Sequence, residues 1–218
     1  MKRSTRRTSA QTREHVLEVA DQLFYWNGIR AIGVDRLARE AGIAPTQLYR
    51  LFASKDDLVG AYIARADRLY REWFTQAVHS AGEHPRARIL AVFDALAEQT
   101  RPEICRGCPF LMALSEFPEA RHPAHVLAVG TKRWVRSQFG TLVDALTPGA
   151  PRRSRETLAD RLALLMEGVY ASVQALGKKG PAAGARPLVE MLLSTGGPAG
   201  RAKTGVHSNQ PSGGMSRP

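Results

Sequence analysis

Apolar residues recur every third or fourth position through almost the whole chain, and no stretch alternates apolar and polar residues between turn signals. The first pattern gives a helix one buried stripe, and the missing second pattern is what a half-buried strand requires. The chain is therefore expected to be all-α. Residues 12–27 show the pattern: Val16, Ala20, Leu23, Phe24 and Asn27 fall on one face, with Thr12 as the expected N-cap and Gly28 just beyond the end. A short helix is expected at 34–41, with Val34, Leu37, Ala38 and Ala41 inward. A third is expected from Pro45 to about Phe52, and a fourth is capped by Ser54 and runs towards His79.

Beyond Gly82 the expected helices are longer: 85–100, 108–117, 123–146, 154–178 and 184–195. Pro102, Gly107-Cys108-Pro109, Pro118, Pro123, Pro148-Gly149-Ala150-Pro151 and Gly180-Pro181 mark their joints. Four segments result: a flexible basic arm at 1–11, a small helical unit at 12–55, a larger helical domain at 56–195 and a tail at 196–218. The tail is rich in Gly and Pro, and chain entropy keeps it disordered.

The 218 residues carry 31 Lys+Arg against 20 Asp+Glu, and the excess favours a polyanionic partner. Lys2, Arg3, Arg6, Arg7 and Arg13 precede the first acid, so the arm can lie along phosphate. No apolar run is long enough for a membrane-spanning helix, and the basic N-terminus leads into no signal-peptide core. Two cysteines are too few for a disulfide scaffold. A cytoplasmic location is expected.

The informative stretch is 28–55. Two short helices meet at a turn containing Gly42, with the small residues Ala38 and Ala41 at the crossing and Ile43 just after the corner. That is the layout of a helix-turn-helix. The second helix carries Thr46, Gln47 and Arg50, which can read thymine, adenine and guanine edges. Tyr49 and Lys55 are suited to phosphate.

The run from Gly28 to Ile43, followed by Leu48-Tyr49-Arg50-Leu51-Phe52 and Ser54-Lys55-Asp56-Asp57-Leu58, resembles the TetR family of transcriptional regulators. The resemblance covers about 12–60. It implies an all-α homodimer whose N-terminal three helices bind operator DNA. A larger C-terminal helical domain would bind a small-molecule effector and dimerise. The candidate DNA-binding residues are Arg30, Gly33, Arg36, Ala44, Pro45, Thr46, Gln47, Tyr49, Arg50 and Lys55. Ala44, Gln47 and Leu51 depart from the common pattern, so no operator sequence carries over.

In the larger domain, Leu158, Leu162, Leu165, Val169, Val173 and Leu176 form a helical seam, and 184–195 is apolar on more than one side. These two segments are the expected dimer interface. Trp73, Phe74, Phe93, Phe110, Met112, Phe117, Trp134, Met166 and Tyr170 are the candidate lining of an effector pocket, although each also suits plain core packing.

Cys105-x2-Cys108 followed by His122-x2-His125 approaches a zinc spacing, but Pro123 interrupts the histidine pair. Inert thiols without metal are the first expectation. A redox or electrophile sensor is the alternative, in which Arg106 and a helix N-terminus lower the Cys108 pKa. No cofactor motif and no G-x-S-x-G, P-loop, dinucleotide or H-E-x-x-H pattern is present, so an enzyme is a remote alternative. A helical module binding membranes or RNA through its basic face is a third reading.

Overall fold

The structure is a computed structural model and describes residues 7–195. Most of the basic arm and the whole 196–218 tail lie outside these residues. Among them the chain forms nine α-helices and two short 3-10 turns, with no strand. The helices are α1 (Ser9–Asn27), α2 (Val34–Glu40), α3 (Pro45–Leu51), α4 (Lys55–Ser80), α5 (Pro85–Gln99), α6 (Pro109–Glu116), α7 (Pro123–Leu146), α8 (Arg152–Leu176) and α9 (Ala185–Thr195). The 3-10 turns, Gly177–Lys179 and Pro181–Gly184, fill the α8–α9 joint, which sequence reasoning left as a break.

Local chemistry sets the helix ends. Pro45, Pro85, Pro109 and Pro123 open α3, α5, α6 and α7. Proline costs nothing there, because the first helical N–H groups have no partner inside the helix. Ser54 caps α4 by accepting from the Asp57 N–H. The start of α1 differs from expectation: the cap is Thr8, in a reciprocal capping box with Gln11, and the helix takes in Ser9–Gln11 of the supposed arm. Thr12 lies inside the helix, buried, and its hydroxyl donates to the Thr8 carbonyl. At the other end of α1, Asn27 is exposed rather than on the buried face, and its amide donates to the Leu23 carbonyl.

One core runs from α1 to α9. The head, α1–α3, closes over Val16, Leu17, Ala20, Phe24, Ile32, Leu37, Ala38, Leu48 and Phe52. The first half of α4 belongs to this core through Leu58, Val59, Tyr62 and Ile63, and Phe24 meets Tyr62 edge-on at 5.3 Å. Its second half enters the body, where Phe74 contacts Trp134 and Phe139. A single rigid helix therefore joins head and body. In α8, Leu158, Leu162, Val169 and Val173 are buried within the chain, Leu165 is half-buried and Leu176 is exposed. Most of the expected intersubunit seam is thus covered by the chain's own body. Leu164, outside the expected seam, is the more exposed of the two exposed leucines of α8, the other being Leu176.

Candidate nucleic-acid interface

The α2–α3 corner is built from the backbone outward. Gly42 has φ +67°, a left-handed conformation that a β-carbon disfavours. The Ile43 N–H reaches back to the Ala38 carbonyl at 3.0 Å, and the Gly42 N–H to Arg39 at 3.1 Å, which ties off the end of α2. Ala44 is the α3 cap; it has no side-chain acceptor, and its carbonyl receives the Gln47 and Leu48 N–H groups.

From that corner α3 presents one face. Leu48 is buried, whereas Ala44, Pro45, Thr46, Gln47, Tyr49 and Arg50 are exposed. Tyr49 is 52% exposed, a large ring left open to solvent beside the buried Leu48. Gly33, the α2 cap, and Arg36 are exposed as well. Arg13 stacks over Phe52 at 4.8 Å and fixes α1 to the end of α3. Arg30 and Lys55 are engaged at the junction with the body: Lys55 donates to the Arg30 carbonyl at 3.3 Å, and the Arg30 guanidinium lies 5.1 Å over Phe117.

The head is held to the body at two further points that sequence reasoning missed. At the C-terminal end of α6, the Glu116 carboxylate accepts the N–H groups of Ile29 at 2.9 Å and Arg30 at 2.6 Å. Before the N-terminal end of α6, the Tyr25 hydroxyl donates to the Gly107 carbonyl at 3.0 Å and accepts the Arg106 N–H at 2.7 Å. The Arg106 guanidinium returns to the Tyr25 carbonyl at 2.6 Å. Burial pushes the Tyr25 phenol up to about 12. These partners are more than eighty residues apart in the chain, so no local signal marks them.

Cys108 is the N-cap of α6 and is buried. Its Sγ lies 3.0 Å from Lys132 Nζ, which also bridges to Glu167 at 2.7 Å. Burial pushes the thiol pKa up, against the pull of Lys132. The Arg106 guanidinium is committed to Tyr25, so the cation beside the Cys108 thiol is Lys132 rather than the expected Arg106. His122 and His125 lie past the far end of α6, a helix roughly 12 Å long at 1.5 Å per residue. His122 Nδ1 accepts the Ala124 N–H, and His125 Nδ1 faces the Phe117 carbonyl. Among the described residues no three His, Cys, Asp or Glu side chains gather as for a metal.

The candidate effector aromatics split. Phe110, Met166 and Tyr170 are buried, with Tyr70 meeting Phe110 edge-on and donating to the Met166 sulfur. Trp73 and Trp134 are half-buried beside them, and Arg71 caps the Trp134 ring. Phe117 stacks on His122 at the head junction. Phe93 lines a cavity between α5, α8 and α9.

A tight Gly-cornered helix pair showing a polar face, on a small head joined to a larger helical body, defines a helix-turn-helix domain within an all-α fold. Residues 16–62 match the model of the bacterial regulatory proteins of the TetR family, so this segment is similar to that family's N-terminal domain. It is 29% identical over 99 residues to the HTH-type transcriptional repressor NemR of Escherichia coli, covering 45% of this chain and 48% of that protein. It is 34% identical over 58 residues to the HTH-type transcriptional regulator AcrR of Shigella flexneri, 27% of each chain. The chain thus spans about half the length, or less, of these curated relatives. The fold match is longer: a TetR-family transcriptional regulator from Streptomyces coelicolor aligns with TM-score 0.79 at 28% identity, over 85% of this chain and 96% of that one. No described helix is long and apolar enough to cross a membrane.

Proposed function

We propose that the chain is a sequence-specific transcriptional regulator, a repressor released from operator DNA by a small-molecule effector. The observation that carries the reading is the α3 face, where Leu48 alone is buried among 44–50 and every other residue of that run is open to solvent. A helix with that face fits a groove about 12 Å wide. Two copies related by a two-fold axis place their α3 helices about one DNA turn apart on a near-palindromic site. The dimer uses the outer side of α8 with α9, where Leu111, Leu164, Leu165, Gly168, Ala171 and Leu188 line an almost wholly apolar groove. The test is fluorescence anisotropy with fragments of the chain's own upstream region. Sequence-selective binding that weakens steeply with salt supports the reading. Equal affinity for random duplex overturns it.

A second reading, a thiol-responsive regulator, is favoured by the Cys108–Lys132 contact. The ammonium group can stabilise a sulfenate after peroxide transfers one oxygen to Sγ, with the O–O bond broken and water released. Hydrogen peroxide that abolishes operator binding in the native chain but not in Cys108→Ser supports it. Identical loss in both overturns it.

A further inference from the structure

The cavity between α5, the C-terminal end of α8 and the start of α9 has a volume of about 450 Å³. Its inner wall is apolar, with Phe93, Leu96, Val169 and Val173 all buried. Its mouth carries three cations, Arg101, Lys178 and Arg186, against one lining carboxylate, Asp94. Arg186 pairs with Asp94 and, at 3.4 Å, with Glu190; Lys178 pairs with Glu103, and Arg101 with Glu98 at 3.7 Å. Every one of these pairs is exposed, so each is weak and exchangeable. The volume and the apolar wall are those of a small-molecule site, and a ligand carboxylate can replace one of these exposed surface carboxylates on Arg101, Lys178 or Arg186.

The wall is also tied to the head. Residues Thr100, Arg101 and Pro102 line the cavity, and the Arg101 carbonyl accepts the N–H groups of Ile104 at 2.9 Å and Cys105 at 3.0 Å. This turn leads directly into Arg106 and Gly107, which grip Tyr25 of α1. On the other side, Gln174 sits between the lining residues Val173 and Gly177, and it packs so closely on Gly107 that a β-carbon there would collide with its amide. The cavity wall and the Tyr25 clasp are therefore one contiguous piece.

We propose that this cavity is the effector site, that its ligand is an organic acid with an apolar body, and that occupancy acts on the head through the 100–107 turn and Tyr25. The proposal rests on the regulator reading for its consequence but not for its binding step. The acid group takes the place of a surface carboxylate on the mouth's guanidinium and ammonium groups, and the hydrocarbon or aromatic body fills the space against Phe93 and Val173. A ligand that widens the wall draws Arg106 and Gly107 away from Tyr25 and loosens α1, shifting the population away from the DNA-bound form.

The experiment uses the full chain, with decanoate as probe and decylamine as its cationic counterpart, by calorimetry without DNA. One decanoate per chain is expected, bound at least tenfold more tightly than decylamine. Ala97→Trp fills the cavity from its exposed edge and should lower decanoate affinity at least tenfold, while Val126→Trp on the exposed face of α7 should not. Arg101→Gln with Lys178→Gln, both on the surface, should weaken decanoate several-fold without weakening decylamine. Equal or better binding of the amine, no decanoate binding, or indifference to both the filling and the charge variants overturns the assignment. A second measurement, release of bound operator by decanoate, separates the two readings. Binding with this variant pattern but no release from a bound operator overturns the effector role. The same binding pattern in a chain that holds no operator upholds the site and overturns the regulator reading instead.

Discussion

The Glu116 carboxylate at the end of α6 accepts two successive backbone N–H groups of the head, those of Ile29 and Arg30, at 2.9 and 2.6 Å. Both donors follow Gly28, whose φ of +91° turns the chain out of α1, and the Glu116 oxygens lie directly against that glycine. A charged acceptor on two backbone donors is among the stronger neutral-to-ion contacts in a protein. It fixes where the α1–α2 connection, and with it the α3 face, sits relative to α6.

Glu116→Ala should therefore release the α1–α2 connection. Hydrogen bonds to a charged group contribute about 1.5–3 kcal/mol each where buried, and at this half-buried site a total near 2 kcal/mol is expected. Amide hydrogen exchange at Ile29 and Arg30 checks it. Unchanged protection at both would show that the carboxylate does not hold them.

Gly42→Ala puts a β-carbon on a left-handed corner and should cost about 1–2 kcal/mol by denaturant titration, with the loss confined to the head. There is open space around that position, so the penalty is conformational and not a clash.

On α3 the two faces should respond differently. Leu48→Ala opens a hole in the head core and should cost about 2–5 kcal/mol. Gln47→Ala, on the exposed face, should leave stability within about 0.5 kcal/mol and relax base preference, whereas Tyr49→Ala should weaken binding to all sequences alike.

Lys132→Met leaves the half-buried Glu167 carboxylate without its partner. Breaking a buried pair costs about 3–5 kcal/mol; with the two side chains 19% and 28% exposed, about 2 kcal/mol is expected. Lys132→Met combined with Glu167→Leu should recover most of it, and a double-mutant cycle measures the difference.

Alkaline pH should destabilise the fold. Burial holds Cys108 above the ordinary thiol value and Tyr25 at about 12 rather than 10, so both are favoured in their neutral forms when folded. A raised folded pKa gives stability that is complete below the unfolded value and is lost as pH rises through the folded one. Melting temperature should therefore fall from about pH 9 upwards, and Tyr25→Phe should flatten the upper part of that fall.

The helix order was readable because its signals are local. Proline at the first helical position, Ser54 as a cap and glycine past the end act within one turn of the chain, and the observed helices α2–α9 follow them within two residues at each end. The start of α1 was misplaced because Thr8 and Thr12 are both plausible caps four residues apart. Only Thr8 has a glutamine three residues on that can return its bond. The buried and exposed sides of α3 were legible for the same reason, since one helix face needs only the spacing of Leu48 against its neighbours.

What a buried stripe packs against is not written in its period. The Leu158–Val173 seam announced a covered face, and tertiary structure decided that the cover is the chain's own body. Spacing placed Cys108 near His122 in sequence, but the rigid length of α6 holds them apart, and folding brought in Lys132 and Glu167 from two other helices. The sequence by itself determined an all-helical chain with a glycine-cornered helix pair and a polar, exposed face on the second helix of that pair. The tertiary structure decided how head and body are joined, through Glu116 and Tyr25. Helix formation is governed by neighbours three or four residues away, whereas those bonds close over more than eighty.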